Sequence, residues 1–323
     1  MTNHRPIGLL SIVSPVYRAE NIIDELIKRI SEEVKKIDLV KNFEILLIED
    51  GSPDDSWKKI EENCKKFNYV KGIKLSRNFG QHFAITAGLD KALGDYVIVM
   101  DCDLQDNPKY IKDLLDKAIQ GFDVVYTVKK HREHSFFKNL TASLFNKFFN
   151  FLLENSNLQG SNEIGAYSIL SRKVVNEYKK FGDYNRHYLS VVRWLGFDFT
   201  FLHIEHSRRF EGESSYNLRK LLSHALNGII SQSNKLLYLN TYFGFFISFI
   251  SFCFGLYQII SYFTTGRQNG WTSLIVAIFF SLGILLISLG IVGIYIGKVF
   301  EQVKGRQKYI VDSQLNFNIK NDK

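Results

Sequence analysis

Asp101 and Asp103 stand one residue apart at the end of an apolar run, Tyr96–Met100, and Gln105 follows two residues later. Two carboxylates and a side-chain amide are hard oxygen donors. Mg²⁺ and Mn²⁺ take such donors together with phosphate oxygens from a substrate. A cation held here would offset the charge on a departing diphosphate. Asp103 and Gln105 are the metal candidates, and Asp101 is a candidate for the metal or for a ribose hydroxyl. Asp-x-Asp alone is a common turn sequence, so its placement in the fold decides its meaning.

That placement follows from the pattern around it. Five β-rich runs, Leu9–Val13, Glu44–Glu49, Lys71–Leu75, Tyr96–Met100 and Asp123–Val128, alternate with helical patterns. Ile22, Ile23, Leu26, Ile27, Ile30 and Val34 mark one helix by their spacing, and Pro53–Phe67, Phe79–Leu93 and Pro108–Ile119 are further helices. This order predicts an α/β fold, a mostly parallel sheet with helices on both faces. Ser14-Pro15-Val16-Tyr17, Asp50-Gly51-Ser52, Ser76-Arg77-Asn78-Phe79-Gly80 and Asp101-Cys102-Asp103 each follow a strand. In a parallel sheet those strand ends share one edge, where ligands bind. Neither a P-loop nor a G-x-G-x-x-G fingerprint occurs, so phosphate-loop ATPases and dinucleotide dehydrogenases are unsupported.

Two later runs have a different character. Asn240–Tyr262 and Gln268–Gly297 contain no charged residue. At about 1.5 Å per residue, Asn240–Phe263 and Trp271–Ile296 are each long enough to cross a hydrocarbon core of about 30 Å. Lys298, Lys304, Arg306 and Lys308 follow the second run. The positive-inside rule then places the large domain and both termini in the cytosol. Phe136–Leu153 and Asn217–Leu237 carry apolar faces interspersed with basic residues, and are expected to lie in the headgroup layer. No apolar stretch precedes the first strand, so no cleavable signal peptide is expected. The expected divisions are 1–216 for the catalytic domain, 217–239 for a juxtamembrane helix, 240–298 for two spans and 299–323 for a cytosolic tail. The formal charge of +8 fits anionic lipid or phosphorylated substrates. No nucleic-acid-binding signature accompanies it. Cys64, Cys102 and Cys253 lack metal spacing and read as reduced thiols. His203 and His206 are three apart in an alternating strand-like run, so they face opposite ways.

The segments VSPVYRAENI (13–22), ILLIEDGSPDDSW (45–57), KLSRNFGQHFAITAGL (74–89), VIVMDCDLQDNP (97–108) and RRFEGESSYNLRKLL (208–222) resemble family 2 glycosyltransferases. They are most similar to the polyprenyl-phosphate group, which includes dolichyl-phosphate mannose synthase and the bactoprenyl glucosyltransferases. The resemblance spans nearly the whole chain. It implies a GT-A fold, a nucleotide-sugar donor, Mg²⁺ or Mn²⁺, inverting transfer to a lipid phosphate, and homo-oligomers. By position, Pro15, Tyr17 and Asp50 would hold the base and ribose, with Asn78 and Cys102 also at the donor. Asp101, Asp103 and Gln105 would form the metal and diphosphate site. Lys129, Arg132, Arg209 and Ser215 would meet the acceptor phosphate, Ser214 and Tyr216 shaping the same loop. Two departures stand out. Ala19 occupies a position that is often acidic in the family, with Glu20 as its shifted substitute. Glu163 matches the first acid of a D-x-G-D-F-R stretch, whereas Ala166 and Ser168 replace its second acid and its base.

The chemistry so implied needs little proton transfer. A phosphomonoester has a second pKa near ~6, so its oxygen is already anionic at neutral pH. The demand is for cations that draw two anions together. Lys129, Arg132 and Arg209, with the metal, meet it, and Glu163 acts as an orienting acid or weak base. The expected enzyme moves a sugar, from UDP-glucose or another UDP-hexose first, to undecaprenyl phosphate for cell-surface glycan modification. It would sit in the cytoplasmic membrane as a multi-pass protein. UDP-N-acetylhexosamine and GDP-mannose are the other donors. Transfer to a hydroxyl of a lipid-linked saccharide is the alternative, and would need a true general base. A non-catalytic membrane scaffold is the alternative outside enzymology, against which the intact Asp101, Asp103 and Gln105 set argues.

Overall fold

The computed structural model describes residues 6–129, 164–184, 187–205, 235–265 and 270–317. The chain opens with β1 (Ile7–Val16), α1 (Ile23–Lys35), β2 (Val40–Glu49), α2 (Ser56–Lys66), β3 (Val70–Leu75), α3 (Gln81–Lys91) and β4 (Tyr96–Val99). A 3₁₀ turn at Pro108–Tyr110 leads into α4 (Ile111–Ile119), followed by β5 (Val124–Lys129), β6 (Ile164–Ser171), α5 (Arg172–Lys180), α6 (Tyr188–Trp194) and β7 (Phe199–Ile204). Two long helices follow, α7 (Lys235–Thr265) and α8 (Trp271–Val303), and then β8 (Val311–Leu315). The five strands and four helices expected up to β5 are all present.

All eight strands join one sheet in the order β7-β5-β6-β4-β1-β2-β3-β8. β1 pairs parallel with β2 and β4, β2 with β3, and β5 with β7. β6 runs antiparallel between β4 and β5, and β8 antiparallel along β3. The sheet is therefore mostly parallel, and β1–β5 and β7 all end on one edge. Ile23, Leu26, Ile27, Ile30 and Val34 form the buried stripe of α1, with Asp24 and Glu25 in its first turn and Lys35 in its last. α1, α2 and α4 cover one face of the sheet, and α3, α5 and α6 the other.

The chain divides into two compact units. One holds the sheet and its helices, and the other holds α7 and α8. Residues 311–315, read from sequence as part of a tail, are β8 of the first unit. Asn316 fixes this return. Its side-chain amide donates to the carbonyls of Cys64 (2.7 Å) and Val70 (2.8 Å). Tyr309 Oη donates to Asp90 at 2.8 Å, and Lys308 Nζ to the Phe181 carbonyl at 2.9 Å.

α7 has 31 residues and α8 has 33. Within them Leu237–Tyr257 and Phe280–Val303 are long and apolar enough to cross a membrane. Phe245, Phe249, Phe263, Ile287 and Leu289 of these helices are exposed. The expected interfacial stretches Phe136–Leu153 and 217–234 lie outside the described residues. His203 is exposed on β7, and its would-be partner His206 is not among the described residues.

Candidate active site

Pro15 lies buried near the end of β1, and Tyr17 emerges just beyond it, 44% exposed. Arg18, at φ 53°, turns the chain sharply and sets its guanidinium 5.5 Å from the Tyr17 ring. An exposed aromatic face at a strand end is a platform on which a base can stack. Ala19 is buried in the core. Glu20 accepts a hydrogen bond from the Asp55 backbone N–H at 2.9 Å, which ties it to the start of α2. Its carboxylate thus has a structural partner besides any ribose.

Asp50 follows β2 and is almost fully buried. Its two oxygens accept from the backbone N–H groups of Phe79 (2.7 Å) and Gly80 (2.8 Å). Burial nonetheless outweighs these bonds and the nearby Arg77 charge, and holds its pKa above the ordinary carboxylate value. Gly51 lets the two loops meet. Its φ is +61°, and a Cβ there would lie 2.3 Å from the Asn78 nitrogen. Asn78 is exposed in that loop, and Arg77 packs its guanidinium 4.2 Å from the Phe79 ring.

Asp101 begins the loop after β4. Its carboxylate accepts from Gln81 Nε2 at 2.6 Å, and its N–H donates to the buried Asp106 at 3.1 Å. Leu104, a buried residue at φ 60°, bends the chain so that Asp103 Oδ1 accepts from the Gln105 N–H at 3.0 Å. An L-residue with this φ is strained, and such strain collects at functional loops. Burial pushes the Cys102 thiol up to about 12, so it is not a nucleophile at neutral pH.

The oxygens of Asp101, Asp103 and Gln105 suit a hard cation. Among the described residues no three His, Cys, Asp or Glu side chains form a closed metal cage. Two carboxylates on a half-exposed loop leave positions for phosphate and water, which is how Mg²⁺ and Mn²⁺ are held beside nucleotides. His82 and His187 pack at 4.1 Å beside this edge. Burial lowers His82 to about 3 and also lowers His187, so both rings stay neutral and add no phosphate-binding charge.

The structure thus brings Pro15, Tyr17, Asp50, Asn78, Asp101, Cys102, Asp103 and Gln105 to one edge of the sheet. Lys129 ends β5 on that edge, paired in register with Ile204. Glu163, Arg132, Arg209, Ser214, Ser215 and Tyr216 lie outside the described residues. Sequence reasoning missed Gln81 and Asp106. A polar residue directly after the Gly80 turn, and a third acid three residues after Asp103, were the available signals.

The family model described as glycosyl transferase family 2 matches residues 11–179, more than half of the chain. An uncharacterized glycosyltransferase of Synechocystis is 36% identical over 304 residues, 94% of each chain. A SfII prophage-derived bactoprenol glucosyl transferase of Shigella flexneri is 34% identical, covering 94% of this chain and 97% of its own. An undecaprenyl-phosphate 4-deoxy-4-formamido-L-arabinose transferase of Klebsiella pneumoniae is 29% identical, covering 96% and 95%.

Proposed function

The chain belongs to glycosyl transferase family 2, and from that premise we propose that it transfers a sugar from a nucleotide-sugar to polyprenyl phosphate at the cytosolic membrane face. Undecaprenyl phosphate is the acceptor, and UDP-glucose or another UDP-hexose the donor. Relatives named for bactoprenol and for undecaprenyl phosphate support the acceptor. Glucose is named for one and a formamido-arabinose for the other, so glucose takes first place only in order of testing. The carrying observation is the meeting of the Asp50-held loop with Asp101 and Asp103 at one sheet edge, in a chain that also builds two apolar helices.

In this reading Tyr17 stacks the base, and the loop held by Asp50 frames the ribose side. Asp101, Asp103 and Gln105 would hold Mg²⁺ or Mn²⁺, which when bound offsets the diphosphate charge. An anionic acceptor oxygen attacks the anomeric carbon from the face opposite the leaving group. The new carbon–oxygen bond forms as the bond to the diphosphate breaks, and the electron pair leaves on the diphosphate. No proton has to move, so configuration inverts without a strong base. Glu163 orients, and Lys129, Arg132, Arg209 and Ser215 attend the acceptor phosphate.

The cytosolic placement of both termini belongs to the same proposal, as does a multi-pass, homo-oligomeric state. Labelled nucleotide sugars are supplied to the full-length protein in liposomes containing undecaprenyl phosphate, with Mn²⁺ or Mg²⁺, and the lipid product is extracted. One donor is expected to give a labelled lipid that chelator and Asp103→Asn both abolish. Turnover indifferent to chelator and to that substitution would overturn the reading.

A further inference from the structure

We propose that Gln81 is a positioning residue of the donor site, whose side-chain amide holds the Asp101 carboxylate in the orientation that meets a divalent cation and a nucleoside diphosphate. The inference rests on the functional reading above and extends it to a residue outside the acidic motif. Gln81 is the first residue of α3, and its Nε2 lies 2.6 Å from Asp101 Oδ1. That distance is within reach of a direct N–H···O hydrogen bond to the carboxylate. The amide orientation is required, since the reverse would set a carbonyl oxygen against a carboxylate.

Gln81 can reach Asp101 because the start of α3 is fixed from elsewhere. Gly80 caps the helix at φ +102°, a conformation that favours glycine. Its N–H and that of Phe79 are held by the carboxylate of Asp50. The acid after β2 therefore sets the helix that orients the acid after β4. Asp101 is held at a second point, where its own N–H donates to Asp106. A carboxylate pinned at one oxygen and at its backbone loses the freedom to swing about its side-chain bonds. The ordering is then complete before the cation arrives, and that lowers the cost of binding.

The side-chain type matters as well. An ammonium at this place would also pin Asp101, but it would cancel part of the negative charge that attracts the cation. The Gln amide is neutral, so it orients Asp101 and leaves that charge in place.

Gln81 is exposed on the helix, so its replacement does not disturb the core. The test uses full-length protein in nanodiscs and follows free Mn²⁺ by electron paramagnetic resonance, with UDP present and, separately, with GDP. Gln81→Met keeps the length of the side chain and removes the donor. It is expected to weaken Mn²⁺ binding by about tenfold, the scale of one hydrogen bond to a charged group. Gln81→Lys is expected to weaken it further at unchanged melting temperature, which a merely structural role would not produce. Donor KM should rise in both while acceptor KM stays put. Asp103→Asn serves as the reference. If it abolishes Mn²⁺ binding while Gln81→Met binds as the wild type does, the role of Gln81 is refuted and the site reading stands. If Asp103→Asn binds Mn²⁺ as the wild type does, the site reading falls and this inference falls with it.

Discussion

Asp50→Asn separates two effects that the wild-type carboxylate combines. Burial is the larger influence on Asp50 and raises its pKa above the ordinary 3.8, against the pull of two backbone N–H groups and Arg77. Folding therefore disfavours the ionised form. By linkage, the contribution of Asp50 to stability falls as pH rises from about 3.8 through the raised folded value. A neutral Asn escapes that penalty. In exchange it keeps one acceptor and turns an amide donor toward the second backbone N–H. Losing one charge-assisted bond costs about 1.5–3 kcal/mol, and that cost falls on the loop from Asn78 to Gly80. The two effects oppose each other in global stability, so the melting temperature should stay within about 5 °C.

In donor binding the two effects do not cancel. The carboxylate is already buried before a donor arrives, whereas a released loop has to be ordered by the donor itself. At about 1.4 kcal/mol per decade, donor KM should rise roughly tenfold or more. The assay is donor KM at saturating acceptor, with calorimetric melting of the same preparation. Acid provides a second arm. Protonated Asp50 offers one acceptor and one donor, as Asn does. The gap between wild-type and variant donor KM should therefore close as pH falls through the raised Asp50 pKa. A variant that melts ten or more degrees lower with donor KM unchanged would refute the reasoning.

Asn316→Ala leaves the Cys64 and Val70 carbonyls without their side-chain donor. It should cost about 1–3 kcal/mol of stability, seen as a lower melting temperature with donor KM unchanged at low temperature. Glu49 is buried, accepts from the Ser52 N–H, and has its Oε2 buried without a hydrogen-bond partner among the described residues. Burial raises its pKa, so Glu49→Gln should gain stability relative to wild type as pH rises above about 4.5, measured by melting at pH 4.5 and 7.5. A reporter between Thr265 and Gly270 should lie across the membrane from reporters at the two termini. One compartment for all three would exclude two crossings.

The strands from β1 to β5 were legible because short β-branched runs alternate with helix-period stripes such as Ile23, Leu26, Ile27, Ile30 and Val34. The strand-end polar clusters followed from the same punctuation. β7 was visible in the alternation of Phe199–Glu205. β6 was harder to see, since it opens with Ile164-Gly165-Ala166 and its place between β4 and β5 depends on pairing with residues distant in sequence. β8, Val-Asp-Ser-Gln-Leu, is five residues of mixed polarity that become a strand only against β3. Gln81 escaped notice for a related reason. A lone Gln carries no chemistry until the fold sets it against Asp101. The acidic pair was visible because both partners lie in one loop, and its orienting group was not because it comes from the start of another helix.

The return of β8 also bears on membrane topology, independently of the distribution of Lys and Arg. A hydrogen-bonded sheet cannot be divided by a bilayer, because its strands must share one aqueous compartment to pair. β8 follows α8 in the chain, yet it lies beside β3 in the sheet that β1 begins. Whatever crosses the membrane between β7 and β8 must therefore cross an even number of times. One apolar helix would strand β8 on the far side, where it could not reach β3. Were α7 and α8 each to cross, the two crossings would bring the chain back. With an even number of crossings β1 and β8 share one compartment, which makes the helix pair and the last strand interdependent. If both helices cross, an insertion that disables one should cost the sheet its edge strand, and with it the Ile310 carbonyl that accepts from the Ser76 N–H at the base of the Ser76–Gly80 loop.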